Sequence, residues 1–151
     1  MTLLVLGFGV VPVAILMFRQ VRSGSWANVD ASNRAERPIL FKVAGGGLLL
    51  LIAVTMALRP ASYVLRGSIG VLLMLAVCAV ATRWLKVSIH MAFAGLAATT
   101  LLIIGSPAGW ALAAVTPILG WSRLALGRHG LAEVFAGLLI GIATGCGIGL
   151  F

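Results

Sequence analysis

Six apolar stretches follow one another along this chain with almost nothing water-compatible inside them, and that property decides what it can fold into. They cover about 2–18, 38–58, 63–83, 87–105, 107–121 and 130–151. Only 9% of the 151 residues are charged, whereas a soluble domain carries about 25%. A water-facing surface cannot be covered with so few charges, so lipid must be the solvent. In hydrocarbon every backbone N–H and C=O has to be satisfied internally, which leaves helices or a closed barrel. Runs of roughly 17–25 apolar residues are the length of a crossing helix. The expectation is an all-α, polytopic membrane helix bundle of about six transmembrane helices, forming one domain over 1–151 with no soluble module.

The breaks between runs carry their own signals. Met1 to Phe18 begins without a basic region and lacks a small-residue cleavage site before Arg19, so it reads as a retained helix. A polar segment, 19–38, precedes Pro38, which suits the first turn of a helix. Arg59-Pro60, Arg83-Trp84 and Gly105-Ser106-Pro107 end the next three runs, Pro117 lies inside the fifth, and a basic link, 122–129, leads into the sixth. In that last run Gly137, Gly141, Gly145 and Gly149 recur every four residues. Such a line admits another helix at close range, either within the chain or as the seam of a homo-oligomer. Gly45-Gly46-Gly47 reads as a packing site too. Cys78 and Cys146 sit in apolar runs and read as packing thiols, not as a disulfide or metal site. Trp26, Trp84, Trp110 and Trp121 near helix ends fit an interfacial belt, and Lys42, Arg59, Arg66 and Lys86 fit snorkelling anchors.

Helix parity brings the polar residues together. With 19–38 on one face, the second and third helices go out and return, delivering 84–90 to that face, and the fourth and fifth deliver 122–129 there again. Asp30, Glu36, Glu133 and every Lys or Arg except Arg59 and Arg66 then share one side. Basic residues favour the cytoplasmic side, so this face is expected in the cytoplasm and both termini outside, in an inner or plasma membrane. A net charge of +8 without a soluble basic surface points away from nucleic acid and towards anionic lipid or phosphate.

These residue types suit phosphoryl transfer, which needs cations around the phosphate oxygens, an in-line nucleophile and an acid for the leaving oxygen. His129 is the candidate nucleophile. Glu133, four residues on, shares its helical face and can accept a hydrogen bond from one ring nitrogen, turning the other towards phosphorus. His90 is the candidate general acid. Arg37 and Arg123 are candidate phosphate clamps, and Ser88 and Ser122 can donate further bonds if their amides lie near a helix start. Singly, each has a plainer use: an interfacial anchor for His90, a helix-dipole partner for Glu133.

The pattern Ser122-Arg123, LALGR, His129, GLA, Glu133 resembles the third motif of the type 2 phosphatidic acid phosphatase superfamily, with Glu in place of the usual Asp. Ser88-Ile89-His90 is similar to the second motif, Pro-Ser-Gly-His, with Val87 for Pro and Ile89 for Gly. Arg37-Pro38 resembles the end of the first motif, where Asp30 occupies the place of a Lys. Arg34 or Lys86 can replace the missing cation. The resemblance implies a six-helix phosphatase core, with His129 as nucleophile, Glu133 orienting it, His90 donating the proton, and Arg37 and Arg123 binding phosphate, with no metal or cofactor. The implied partner is a membrane lipid bearing a phosphate headgroup, such as a polyprenyl phosphate or diphosphate, a prenol-linked sugar phosphate or a phosphatidate. The alternatives are a non-catalytic lipid-binding or scaffold member of the fold, and a small anion-transporter subunit.

Overall fold

The computed structural model describes residues 2–26, 33–58 and 62–150. Asp30, Arg59 and Pro60 lie outside the described residues. All regular structure among those residues is helical, and four helices are long and apolar enough to cross a membrane: Leu3–Arg22, Arg34–Leu58, Tyr63–Ala81 and Leu131–Gly149. Their large apolar side chains face outward in quantity, with Leu3, Phe18, Leu49, Leu139 and many others exposed, as a lipid solvent requires.

The chain divides into two compact units, Met1–Ala79 and Val80–Phe151. In the first, α1 (Thr2–Val5) passes through a π-helical turn, Leu6–Val10, into α2 (Val11–Arg22). The first helix therefore continues four residues past the expected end at 18. Arg19 and Arg22 occupy its last turn, where cations complement the helix dipole. The stop comes at Gly24, with φ of +73°, while the amides of Gly24 and Ser25 return to the carbonyls of Val21 and Gln20 at 3.0 Å each. Trp26 just beyond is only 5% exposed, so it is an internal packing residue and not part of an interfacial belt. Trp84, Trp110 and Trp121 are exposed.

A 3₁₀ turn, Arg34–Glu36, opens α3 (Arg37–Leu58). Asn33 caps it: its Oδ1 accepts the Ala35 amide, and Glu36 Oε2 accepts the Asn33 amide, both at 3.2 Å. Within the glycine triplet, Gly47 makes the close approach, its missing side chain leaving room for the Phe8 carbonyl of the π turn. Gly46 faces open space. The next helix, α4 (Ser62–Ala81), buries Met74 and Cys78 completely.

The second unit is a three-helix assembly of α5 (Ile89–Ile103), α6 (Pro107–Ala125) and α7 (Leu131–Leu150). The glycine line of α7 packs on α5 of the same chain. Gly137, Gly141, Gly145 and Gly149 face Ser88, Ala92 with Leu96, Thr99 and Ile103 in turn. The order rises together along both helices, so α5 and α7 run parallel. Gly95 answers from α5, where a Cβ would stand 2.7 Å from the Leu138 carbonyl oxygen. Between them in sequence, α6 runs back along α5: Gly109 abuts Leu102 at one end and Gly120 faces Met91 and Val134 at the other.

Two of the expected crossing helices differ from the four long apolar ones. The 15 residues of α5 span about 22 Å at 1.5 Å per residue, short of a hydrocarbon core of about 30 Å. The 19 residues of α6 are enough, but Trp110, Thr116, Pro117, Trp121, Ser122 and Arg123 dilute its apolar character. This helix also runs four residues beyond the expected end at 121. Ser122 and Arg123 thus belong to its last turn and not to a link, and the Ser122 hydroxyl donates to the Leu119 carbonyl at 2.7 Å. Ser122 is therefore not at a helix start.

Candidate active site

The antiparallel return of α6 brings the segment before α5 and the segment before α7 to one end of the second unit. Gly127 makes the turn between α6 and α7. It holds φ at +62°, a left-handed conformation that costs an ordinary L residue roughly 1–2 kcal/mol. Around it the amides of Arg128 and His129 both fold back onto the Arg123 carbonyl, at 3.0 and 3.3 Å. His129 is thereby placed beside the end of α6 before α7 begins. Gly130 immediately precedes α7, its carbonyl accepting from Glu133 and Val134 at 3.1 Å.

His129 and Glu133 meet as their spacing predicts. His129 Nδ1 lies 2.9 Å from Glu133 Oε2 and 3.1 Å from the Lys86 carbonyl oxygen. Both oxygens are acceptors, so Nδ1 is the donor in these contacts, and a neutral ring bonded in this way would keep its lone pair on Nε2. The imidazole is nearly enclosed, with 5% of its side chain exposed, against 19% for Glu133. The same Oε2 accepts the Gly130 amide at 3.2 Å and lies 3.9 Å from Lys86 Nζ. Glu133 therefore caps the first turn of α7, sits at the positive end of that helix and orients His129. Lys86, expected as a phosphate ligand or a snorkelling anchor, faces this carboxylate, with 24% of its side chain exposed.

Ser88 immediately precedes α5 and is fully buried. Its amide does not face a ligand: it donates to the Glu133 carbonyl at 3.0 Å. Its own carbonyl accepts the Ala92 amide at 3.0 Å and lies against Gly137. The hydroxyl has no hydrogen-bond partner among the described residues. A buried, unsatisfied hydroxyl costs about 1–3 kcal/mol, and a phosphate oxygen is one acceptor that would relieve it. His90 follows in the first turn of α5, exposed, at the same end of the unit as His129. Arg123 is half-buried in the last turn of α6.

Arg34 and Arg37 belong to the first unit. Arg34 is exposed on the 3₁₀ turn, while Arg37 is 2% exposed and lies within electrostatic reach of Cys78. Among the described residues, no group of three or more His, Cys, Asp or Glu side chains is placed to hold a metal ion.

The second unit thus gathers His129, Glu133, Lys86 and Ser88 into direct contact or main-chain linkage, with His90 and Arg123 on adjoining turns. Two links carry no sequence signal: the Lys86 carbonyl on His129 and the Ser88 amide on Glu133 are main-chain bonds, which any residue at those positions can make. Gly127, not singled out in the sequence, did carry a usable signal, since a glycine just past a helix end is a stop signal. Compared with models of known families, with curated proteins and with solved structures, the chain finds no match.

Proposed function

We propose that this chain is an integral membrane phosphatase that hydrolyses a lipid phosphate through a phosphohistidine at residue 129. The observation that carries the reading is the 2.9 Å approach of Glu133 Oε2 to His129 Nδ1, which supports a neutral ring with its lone pair on Nε2. A neutral imidazole held in that tautomer is a nucleophile prepared for in-line attack on phosphorus. The unsatisfied Ser88 hydroxyl and the cations Lys86 and Arg123 support an oxyanion at the same end of the unit.

On this reading Nε2 attacks, the N–P bond forms as the bond from phosphorus to the lipid oxygen breaks, and protonated His90 gives that oxygen its proton. Water then cleaves the N–P bond, its proton passing to His90, and phosphate leaves. In this arrangement α5 and α6 complete six crossings, and the reactive end faces the cytoplasm under the positive-inside rule. With so little protein outside the apolar helices, the fitting substrate is an amphiphile whose phosphate already lies at the bilayer surface: a polyprenyl phosphate or diphosphate, a prenol-linked sugar phosphate or a phosphatidate.

The test is phosphate release by the purified protein from a panel of these lipids, with chelator present. Wild type is expected to turn over at least one, and His129→Ala, folded by circular dichroism, none. A wild type inert across the panel would refute the phosphatase reading in favour of a lipid-binding scaffold, for which Glu133 is simply the helix cap that its bond to Gly130 describes. Anion flux in liposomes that survives His129→Ala would favour a transporter subunit.

A further inference from the structure

Two acceptors lie within hydrogen-bond distance of His129 Nδ1, and the second belongs to Lys86. A ring N–H directed at one carboxylate depends on that carboxylate for its tautomer. Here Nδ1 itself lies 2.9 Å from Glu133 Oε2 and 3.1 Å from the Lys86 carbonyl oxygen. The N–H of that carbonyl's own peptide and the N–H of the next peptide are both hydrogen-bonded. Val87, fully buried, donates its amide to the Leu85 carbonyl at 2.7 Å, and the Ser88 amide is tied to the Glu133 carbonyl at 3.0 Å. The Ser88 carbonyl in turn rests against Gly137 of α7. The acceptor thus sits on a braced strip of main chain, not on a side chain that can change rotamer. The ammonium of the same residue lies 3.9 Å from Oε2, so one lysine reaches both members of the His–Glu couple.

We propose that Lys86 is a positioning residue for His129, its main-chain carbonyl holding the Nδ1 proton jointly with Glu133. The proposal rests on the reading of His129 as the nucleophile. Its consequence is that the ring keeps its tautomer when the carboxylate is removed, because the remaining acceptor still demands a proton on Nδ1. In a catalytic triad whose histidine depends on one carboxylate, a substitution that imposes the wrong tautomer lowers kcat by about 10⁴. The loss expected for Glu133→Ala is smaller, on the order of 10- to 100-fold in kcat.

The experiment uses the full chain in lipid bilayers with ¹⁵N-labelled histidine and ¹³C-carbonyl-labelled lysine. His90 and His129 are the two histidines and Lys42 and Lys86 the lysines, so His90→Gln and Lys42→Arg assign every signal. In Glu133→Ala, and in Glu133→Gln should the alanine variant unfold, the His129 ring is expected to remain a single tautomer protonated at Nδ1. In folded His129→Phe the Lys86 carbonyl resonance is expected to move, because its ring donor has gone. A switch to the Nε2-protonated form, a mixture of tautomers, or an unmoved Lys86 carbonyl would overturn the proposal. A wild type that releases no phosphate would instead overturn the phosphatase reading, and the two spectroscopic results would still decide the part played by Lys86.

Discussion

Adding one methyl group to α7 should have opposite effects at two glycines six residues apart. At Gly141 a Cβ would stand 2.8 Å from both the Ala92 carbonyl carbon and the Leu96 amide nitrogen, with the Ala92 oxygen closer still. Ordinary contact begins at 3.4 Å, so α5 and α7 must part by at least 0.6 Å (3.4 less 2.8). A gap of about 0.5–1 Å already forfeits a quarter to a half of the dispersion energy of each facing atom pair. Overpacking of this kind costs about 1–3 kcal/mol. Against it stands the helix-propensity gain of Gly→Ala, about 0.8–1 kcal/mol. Gly147 has nothing within 4 Å, so Gly147→Ala takes only the gain. The shared propensity term cancels in the comparison, leaving Gly141→Ala less stable than Gly147→Ala by about 1–3 kcal/mol. Unfolding each variant with SDS in mixed micelles, followed by circular dichroism, measures the difference. Equal stabilities, or a Gly141→Ala more stable than wild type, would refute the packing of α7 on α5.

Other elements give equally direct expectations. Gly127→Ala meets no atom within 4 Å but must hold φ at +62°, so it should cost roughly 1–2 kcal/mol in the same SDS titration and slow phosphate release by displacing His129. Trp26→Ala, emptying a site that is 5% exposed, should destabilise the first unit by about 3–5 kcal/mol, whereas Trp84→Ala at an exposed position should change stability little; tryptophan quenching by brominated lipid checks the same contrast, with Trp26 the protected one. Asn33→Ala removes the cap before α3 and should cost about 1 kcal/mol, read as faster amide exchange over residues 34–37.

Much of the second unit was legible in the sequence because it follows from counting. Two apolar runs between Ser88 and Ser122 return the chain to the side it left, and the i, i+4 spacing of His129 and Glu133 predicts their contact. The glycine line announced a close helix neighbour, and coordinates were needed to identify it as α5. The helices run past the expected ends at 18 and 121 because a first charge or Ser does not by itself stop a helix. Cations are favourable in a last turn, and the left-handed glycines at 24 and 127 mark the true ends. The burial of Trp26 and Arg37 had no pattern to announce it, since an aromatic or basic residue near a helix end is more often exposed. The contact of the Lys86 carbonyl with His129 was not legible either, because main-chain bonds leave no trace in residue identity.

The most direct test of the central claim is to quench turnover of a ³²P-labelled lipid phosphate and map the label by mass spectrometry under alkaline conditions that preserve phosphoramidates. The account requires an acid-labile phosphoryl group on residue 129 of the wild type and none on His129→Ala. Phosphate release with no labelled protein, or label on any other residue, would contradict it.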